Sequence, residues 1–328
     1  MSTKRTTSIG CLVVILGLIG AGLYGNSRLA PMPDGPKQYY RVAKNRSLAG
    51  VLNELQSKGI VRDARVARWY ARLKRAAQTV DTGTYQIQPG MTVDRLLKTL
   101  TSPIRRMVRI PETNLSYRTA NLLEKLEVCS ADEYKAIVAD PKRLEEAKDL
   151  PLKEGANLEG YLFPDTYDLP PMMGAESVVR MQLKAFDQKV APLLKDVKDW
   201  NRVLTIASLI ELEAGTDKDR PLIASVIENR LAKNMRLQID ATLLYAISEW
   251  RRLTFKDYRE IDSPYSTYKN SGLPPGPICS PSVASVKAAL APAKTDYFYY
   301  VAKPDLSHAF STTYDEHLAN IRNIRGPK

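Results

Sequence analysis

Hydrophobic and polar positions divide the chain into segments of different period. The first is a run from Thr6 to Ser27 without a charged residue, and its centre, Ile9 to Tyr24, is rich in Leu, Ile, Val and Gly. That length is near the minimum for one membrane-spanning helix, and a secretory signal shares the pattern. No small-x-small cleavage site follows before Arg28, so a retained anchor is expected: 1–8 as a cytoplasmic tail, 9–27 as a transmembrane helix, 28–38 as a linker stiffened by Pro31, Pro33 and Pro36. Basic residues flank the run on both sides (Lys4 and Arg5; Arg28, Lys37, Arg41 and Lys44), so charge alone sets no orientation. A short tail inside and a large domain outside is the simpler topology. It puts the bulk of the chain on the extracytoplasmic, or periplasmic, side of the cell membrane. Cys11 opens the apolar run rather than following it, which is a poor match to a lipid-modified cysteine.

Residues 39–102 have the pattern of a small α+β module. A short strand is predicted over Tyr39–Ala43. Ser47 caps a helix over 48–58 with Leu48, Val51, Leu52 and Leu55 on one face, and Asp63 caps a second carrying Val66, Trp69, Tyr70 and Leu73. Its other side bears Arg65, Arg68, Arg72, Lys74 and Arg75, either a polyanion-binding face or a solvated surface. A strand over 82–88 and a helix opened by Thr92 complete the module. A strand near Val108 begins a charged, mostly helical connector over 103–157, and a C-terminal domain is expected over 158–328. It opens with an aromatic loop, Leu158 to Tyr167, which lines a carbohydrate cleft or packs on its own domain. Helices follow over 178–194, over 200–214 and from Asp219, then a polar turn and a further helix over 234–246, and a helix over 283–291. The loop from Tyr265 to Pro281 is too long for a plain connector. A hairpin over 297–301 and 309–313 and a last helix close an α+β fold, mainly helical in its C-terminal domain.

The stretch Ile206 to Gly215 holds two carboxylates inside an apolar helical run. A charge there costs free energy unless it is compensated. Residues two apart on a helix point to nearly opposite sides. Glu213 continues the bulky face of Ile206, Leu209 and Ile210, and Glu211 follows Ala207 and Ser208 on a smaller, more polar one. Gly215 has the position of a helix C-cap. Apolar walls and the negative end of the helix dipole both favour a protonated Glu213, the form a general acid needs. A salt-bridged structural glutamate fits the same pattern.

The net charge of +12 suits an anionic partner, with nucleic acid, a membrane surface and an acidic glycan all compatible. The anchor and the lack of a nucleic-acid motif turn the choice away from nucleic acid. Cys129 and Cys279 could form one disulfide or remain buried thiols. His308 and His317, the two histidines, form no metal motif, so neither metal nor cofactor is expected.

Several stretches carry a resemblance: Leu158 to Tyr167 (LEGYLFPDTY), Ala207 to Ala214 (ASLIELEA), Val226 to Leu231 (VIENRL), Met235 to Thr242 (MRLQIDAT), Tyr265 to Tyr268 (YSTY) and Gly272 to Ile278 (GLPPGPI). In order and spacing the chain resembles the YceG-like, or MltG-type, endolytic murein transglycosylases. The resemblance implies a LysM-like module at 39–102, a C-terminal catalytic transglycosylase domain at 158–328, and cleavage of the β-1,4 bond between N-acetylmuramic acid and N-acetylglucosamine in nascent peptidoglycan. It maps the essential glutamate to Glu213. Leu212, Ser266, Ala241 and Thr113-Asn114 depart from the family pattern, which touches loop geometry and substrate preference.

Such enzymes need one carboxylate, acid and then base, and leave a 1,6-anhydro end. Gln238, Asp240, Tyr265 and Tyr268 are expected either to position sugar or to make structural loop hydrogen bonds, Asn229 and Arg230 to brace the site, and Glu211 to make a supporting ion pair or hydrogen bond. The implied partners are peptidoglycan strands, the membrane and peptidoglycan synthases, with the enzyme terminating strand elongation. Two competing readings remain: a muramidase using Glu213 with Asp240, and an anchored glycan-binding scaffold without catalysis.

Overall fold

The computed structural model describes the backbone of residues 3–326 apart from 43, 45 and 114, with side chains from residue 16 onward except 325. Expectations that touch Ala43, Asn114 and the side chain of Cys11 lie outside the described residues. Helices and small antiparallel sheets combine in a mixed α and β architecture. The chain forms two compact units, one of residues up to 106 with 169–173, the other of 107–168 and everything from 174.

The first unit begins with helix α1, Thr3–Leu29. Among the described residues no helix is long and apolar enough to cross a membrane. Then come β1 (Gln38–Val42), β2 (Arg46–Ser47), α2 (Leu48–Ser57), α3 (Ala64–Leu73), β3 (Thr79–Val80), β4 (Gly83–Ile87) and α4 (Val93–Thr99). β1 pairs antiparallel with β4, with Tyr40 opposite Tyr85 and Val42 opposite Gly83. That register puts Tyr40, Val42, Tyr85 and Ile87 on the buried face, as the two-residue period of a strand requires. Helices α2, α3 and α4 are each capped by a side chain that accepts a free N–H of the first turn: Ser47 from Gly50, Asp63 from Arg65 and Val66, Thr92 from Arg95. On α3 the buried residues are Ala64, Ala67 and Ala71, while Trp69 and Leu73 are exposed. The face expected from Trp69 and Leu73 therefore points outward, because small alanines allow α3 a close approach to the Leu48, Val51, Leu52 and Leu55 face of α2.

In the second unit β5 (Met107–Arg109), α5 (Ser116–Lys125), α6 (Ala131–Ala139), β6 (Thr166–Asp168) and α7 (Ala175–Lys189) lead to α8 (Trp200–Glu213). Helices α9 (Arg220–Ala232), α10 (Asp240–Ile247), α11 (Phe255–Glu260) and α12 (Val283–Leu290) come next, then the hairpin β7 (Tyr299–Ala302) and β8 (His308–Ser311), and α13 (Tyr314–Arg325). Every residue of α8 from Leu204 to Glu211 is buried, which makes it a core helix rather than a one-faced surface helix. The long loop is fastened to it: the Ile278 N–H donates to Ser208 Oγ at 3.1 Å. The aromatic loop packs inward, with Leu158, Tyr161, Leu162, Phe163 and Tyr167 all buried. Cys129 and Cys279 are free thiols.

Gly215 has a different purpose from the one its position suggests. Ala214, in extended conformation, is the C-cap of α8, and Gly215 is not among the residues of positive φ. A Cβ on Gly215 would run into the backbone carbonyl of Leu306 in the β7–β8 turn. The glycine is needed for that close approach rather than for a left-handed cap.

Candidate active site

The end of α8 delivers Glu213 to a cleft of about 500 Å³ whose polar lining includes Arg230, Gln238, Asp240, Tyr268, Tyr300 and His308. Most of its wall comes from the starts of α10 and the hairpin. Glu213 is half-buried and its Oε2 accepts a hydrogen bond from the Tyr300 hydroxyl at 3.0 Å. Burial pushes its carboxyl up to about 7, and the negative charge of Asp240 adds to the rise, against the Tyr300 hydrogen bond, which favours the anion. Burial and a second carboxylate thus account for the protonated acid, where the sequence pointed to burial and the helix dipole.

Glu211, two residues earlier, turns away. It is almost fully buried; its Oε2 accepts from the Ser282 N–H at 2.9 Å and the Ser282 hydroxyl at 2.5 Å, and Oε1 faces Arg220 Nη1 at 3.2 Å. Arg220 continues to Asp217 and Ser285. Glu211 thereby ties α8 to the beginnings of α9 and α12.

Asp240 opens α10. Its Oδ1 accepts from the Tyr268 hydroxyl at 2.6 Å and its Oδ2 from the Tyr258 hydroxyl at 3.2 Å, with the two tyrosine rings edge to face. Gln238 sits at φ 55, a left-handed turn that presents its side chain to the cleft. Arg230 donates to the Phe298 carbonyl at 2.7 Å and the Leu237 carbonyl at 2.8 Å, and its guanidinium lies over the Tyr299 ring. It fastens α9 to both cleft walls.

Asn229 and Tyr265 are placed elsewhere. Asn229 donates to the Thr295 and Tyr297 carbonyls, at 2.7 and 2.9 Å, in a separate hollow beside the start of the hairpin. Tyr265 packs against Tyr245 and borders a smaller hollow with Asn157, Tyr161 and Asn201. The structure thus gathers Glu213, Arg230, Gln238, Asp240 and Tyr268 and separates them from Glu211, Asn229 and Tyr265.

Three further polar cleft residues, Tyr300, His308 and His317, escaped the sequence reading as site residues, as did Tyr258, which reaches Asp240 without lining the cleft. Tyr300 lies in a strand whose neighbours are also aromatic, so only the alternation of the hairpin distinguishes it. His308 Nδ1 is 2.9 Å from Asp219 Oδ2, both side chains nearly fully buried. Among the described residues no group of three or more His, Cys, Asp or Glu side chains is gathered as a metal site.

A half-buried carboxyl whose proton is held up to about pH 7, in a polar cleft that Tyr268 and Tyr300 help to line, can protonate a leaving oxygen and take the proton back. The comparisons agree with a glycan-processing class. The YceG-like family model matches residues 40–323, and the chain belongs to that family. It is 33% identical to the endolytic murein transglycosylase of Bacillus subtilis (strain 168), over 91% of this chain and 88% of that one. It is 31% identical to the endolytic murein transglycosylase of Streptococcus pneumoniae serotype 2, over 94% of this chain and 63% of the longer relative. The crystal structure of a YceG-like protein from Listeria monocytogenes superposes with a TM-score of 0.57 at 32% identity, over 87% of this chain and 99% of that one.

Proposed function

We propose that this chain is an endolytic peptidoglycan lytic transglycosylase, cleaving the β-1,4 bond between N-acetylmuramic acid and N-acetylglucosamine within glycan strands. The observation that carries the reading is Glu213: one carboxyl, held protonated near neutral pH, in a polar cleft of the second unit. In this mechanism Glu213 gives its proton to the glycosidic oxygen as the C1–O bond breaks. The carboxylate so formed takes the proton of the muramoyl C6 hydroxyl, and O6 closes on C1. The proton lost is regained, no water enters, and the new end is 1,6-anhydromuramic acid.

Gln238, Asp240 and Tyr268 line the same cleft and are assigned to sugar positioning, with Asp240 also supplying negative charge near the oxocarbenium-like C1. Arg230 braces the cleft walls through its backbone carbonyl partners, Asn229 supports from outside the cleft the chain that enters the hairpin, and Glu211 holds α8 in place. Tyr265, in its separate hollow, is assigned to loop packing.

The uncharged run over 6–27 supports a single-pass anchor that keeps the two units on the extracytoplasmic side. The first unit is proposed as a LysM-like glycan-binding module. An anchored enzyme cutting within strands meets them while synthases at the same membrane still extend them. It would then act as a terminator of elongation.

Asp240 shares the cleft, and this favours a second reading, hydrolysis with two carboxylates. Both of its oxygens already accept tyrosine hydroxyls, which leaves it poorly placed to activate water. Mass spectrometry of products from purified glycan strands decides. Transglycosylation leaves anhydro ends lacking the elements of one water, hydrolysis leaves reducing ends, and an inert protein would sink both readings.

A further inference from the structure

The last residue of α8 and the segment after it are clamped to the β7–β8 hairpin at three points. Glu213 Oε2 accepts the Tyr300 hydroxyl at 3.0 Å. Gly215 lies directly against the Leu306 carbonyl of the hairpin turn. Asp219, the last residue before α9, meets His308 Nδ1 at 2.9 Å. The His308 ring then stands edge-on to the Tyr300 ring, with centroids 5.4 Å apart and planes at 88°. A carboxylate can only accept, so Asp219 holds the proton of His308 on Nδ1 and fixes the orientation of the ring. An edge-on ring in turn limits the swing of Tyr300. Tyr300 is half-buried, within electrostatic reach of Arg230 and Tyr268.

We propose that Asp219, His308 and Tyr300 form a positioning arm that engages Glu213 through Oε2, so that the catalytic proton resides on Oε1, the oxygen presented to the glycosidic bond. This rests on the reading of Glu213 as the general acid. A tyrosine O–H that donates to Oε2 occupies that oxygen. A protonated carboxyl then carries its own hydrogen on the other one. After the proton is delivered, the same Tyr300 hydroxyl stabilises the carboxylate while it waits for the C6 hydroxyl. Tyr300 and His308 are positioning residues here, since both act through Glu213.

The charged and titratable groups around Glu213 and Tyr300 come from several elements: Asp240 from α10, Arg230 from α9, Tyr268 from the long loop, His308 from β8 and His317 from α13. None of them replaces the hydrogen bond at Oε2. Its removal therefore withdraws a contact that favours the anion, and the acid keeps its proton to higher pH.

The experiment is a pH–rate profile of the full-length protein on glycan strands for Tyr300→Phe, His308→Leu, His308→Asn and the double variant Tyr300→Phe/His308→Leu. Tyr300→Phe is expected to lower kcat roughly ten- to a hundredfold with KM little changed, and to move the alkaline limb upward. His308→Leu is expected to shift the limb in the same direction. His308→Asn, whose amide can donate to Asp219, restores much of the loss. The double variant is expected to be no worse than Tyr300→Phe alone, because His308 acts through Tyr300.

A limb at its native position in folded Tyr300→Phe overturns the proposal, and so does full additivity in the double variant. If the native protein itself yields no anhydro ends, the underlying assignment of Glu213 fails instead. His308→Leu, which leaves Asp219 without its partner, is checked for folding by circular dichroism. Should it unfold, Tyr300→Phe and His308→Asn still decide, since neither leaves a buried charge unpaired.

Discussion

Glu211 meets a guanidinium and two Ser282 donors, whereas Glu213 meets a tyrosine hydroxyl and the field of Asp240. Their substitutions are therefore expected to diverge. Glu213→Gln keeps the shape but has no proton to give, and loss of general acid catalysis alone costs about two to four orders of magnitude. In a one-carboxylate mechanism the loss goes further, because the base is the same group. Glu211→Gln is expected to retain measurable turnover and to lose about 1–3 kcal/mol of stability through the weakened partnership with Arg220. Turnover and denaturation curves for the two variants check this; Glu211→Gln dead beside an active Glu213→Gln would reverse the assignment. The pH dependence follows from the same residue. Glu213 and the buried Glu159 are both raised from 4.5 to about 7. A carboxyl raised in the folded state contributes stability that is complete below about 4.5 and is lost as pH climbs through about 7. Denaturation midpoints should decline across that window, less steeply in Glu213→Gln, and cleavage should fall as the acid deprotonates.

The caps at Ser47, Asp63 and Thr92 were legible in the sequence because each acts within three residues of its own helix. The opposite directions of Glu211 and Glu213 were legible for a similar reason, since residues two apart on a helix point to nearly opposite sides. Tyr300 was not, since it reaches Glu213 from 87 positions away and only the fold brings the hairpin to the end of α8. The loop of Leu158 to Tyr167 left two readings open because aromatic residues beside Gly and Pro suit either a ligand or a core, and burial alone separates the two. Gly215 was misjudged because a glycine after a helix suggests a left-handed cap, whereas Leu306 approaches from a distant turn. Gly215→Ala is accordingly expected to cost about 1–3 kcal/mol through overpacking, with a larger proportional loss of activity, because the displaced segment carries Glu213. Parallel melting and turnover measurements would show it; an unchanged rate would mean that the hairpin does not position the acid. At the start of α10, Asp240→Asn is expected to slow turnover with little loss of stability, since one tyrosine hydroxyl keeps an acceptor oxygen. A large stability loss at native activity would make Asp240 a structural residue.

A net charge of +12 suits a protein that works along carboxylate-bearing glycan, and attraction between them is expected to weaken as salt screens it. Binding to isolated glycan strands should therefore fall with ionic strength, and a salt-independent affinity would assign the charge another role. The endolytic reading predicts internal fragments of many lengths at early times; a ladder of disaccharides would contradict it. One consequence of the folding of the chain concerns ancestry. Residues 169–173 belong to the first unit although they lie far beyond its main stretch, which ends at 106. There the Pro171 carbonyl accepts the Thr84 hydroxyl at 2.6 Å, and the Leu169 N–H donates to the Arg106 carbonyl. A single recombination crossover near 106 would transfer one part of that unit and strand the other in a foreign sequence. The two units are thus inherited as a pair, and variation in the first must arise by point substitution rather than by the shuffling of whole modules.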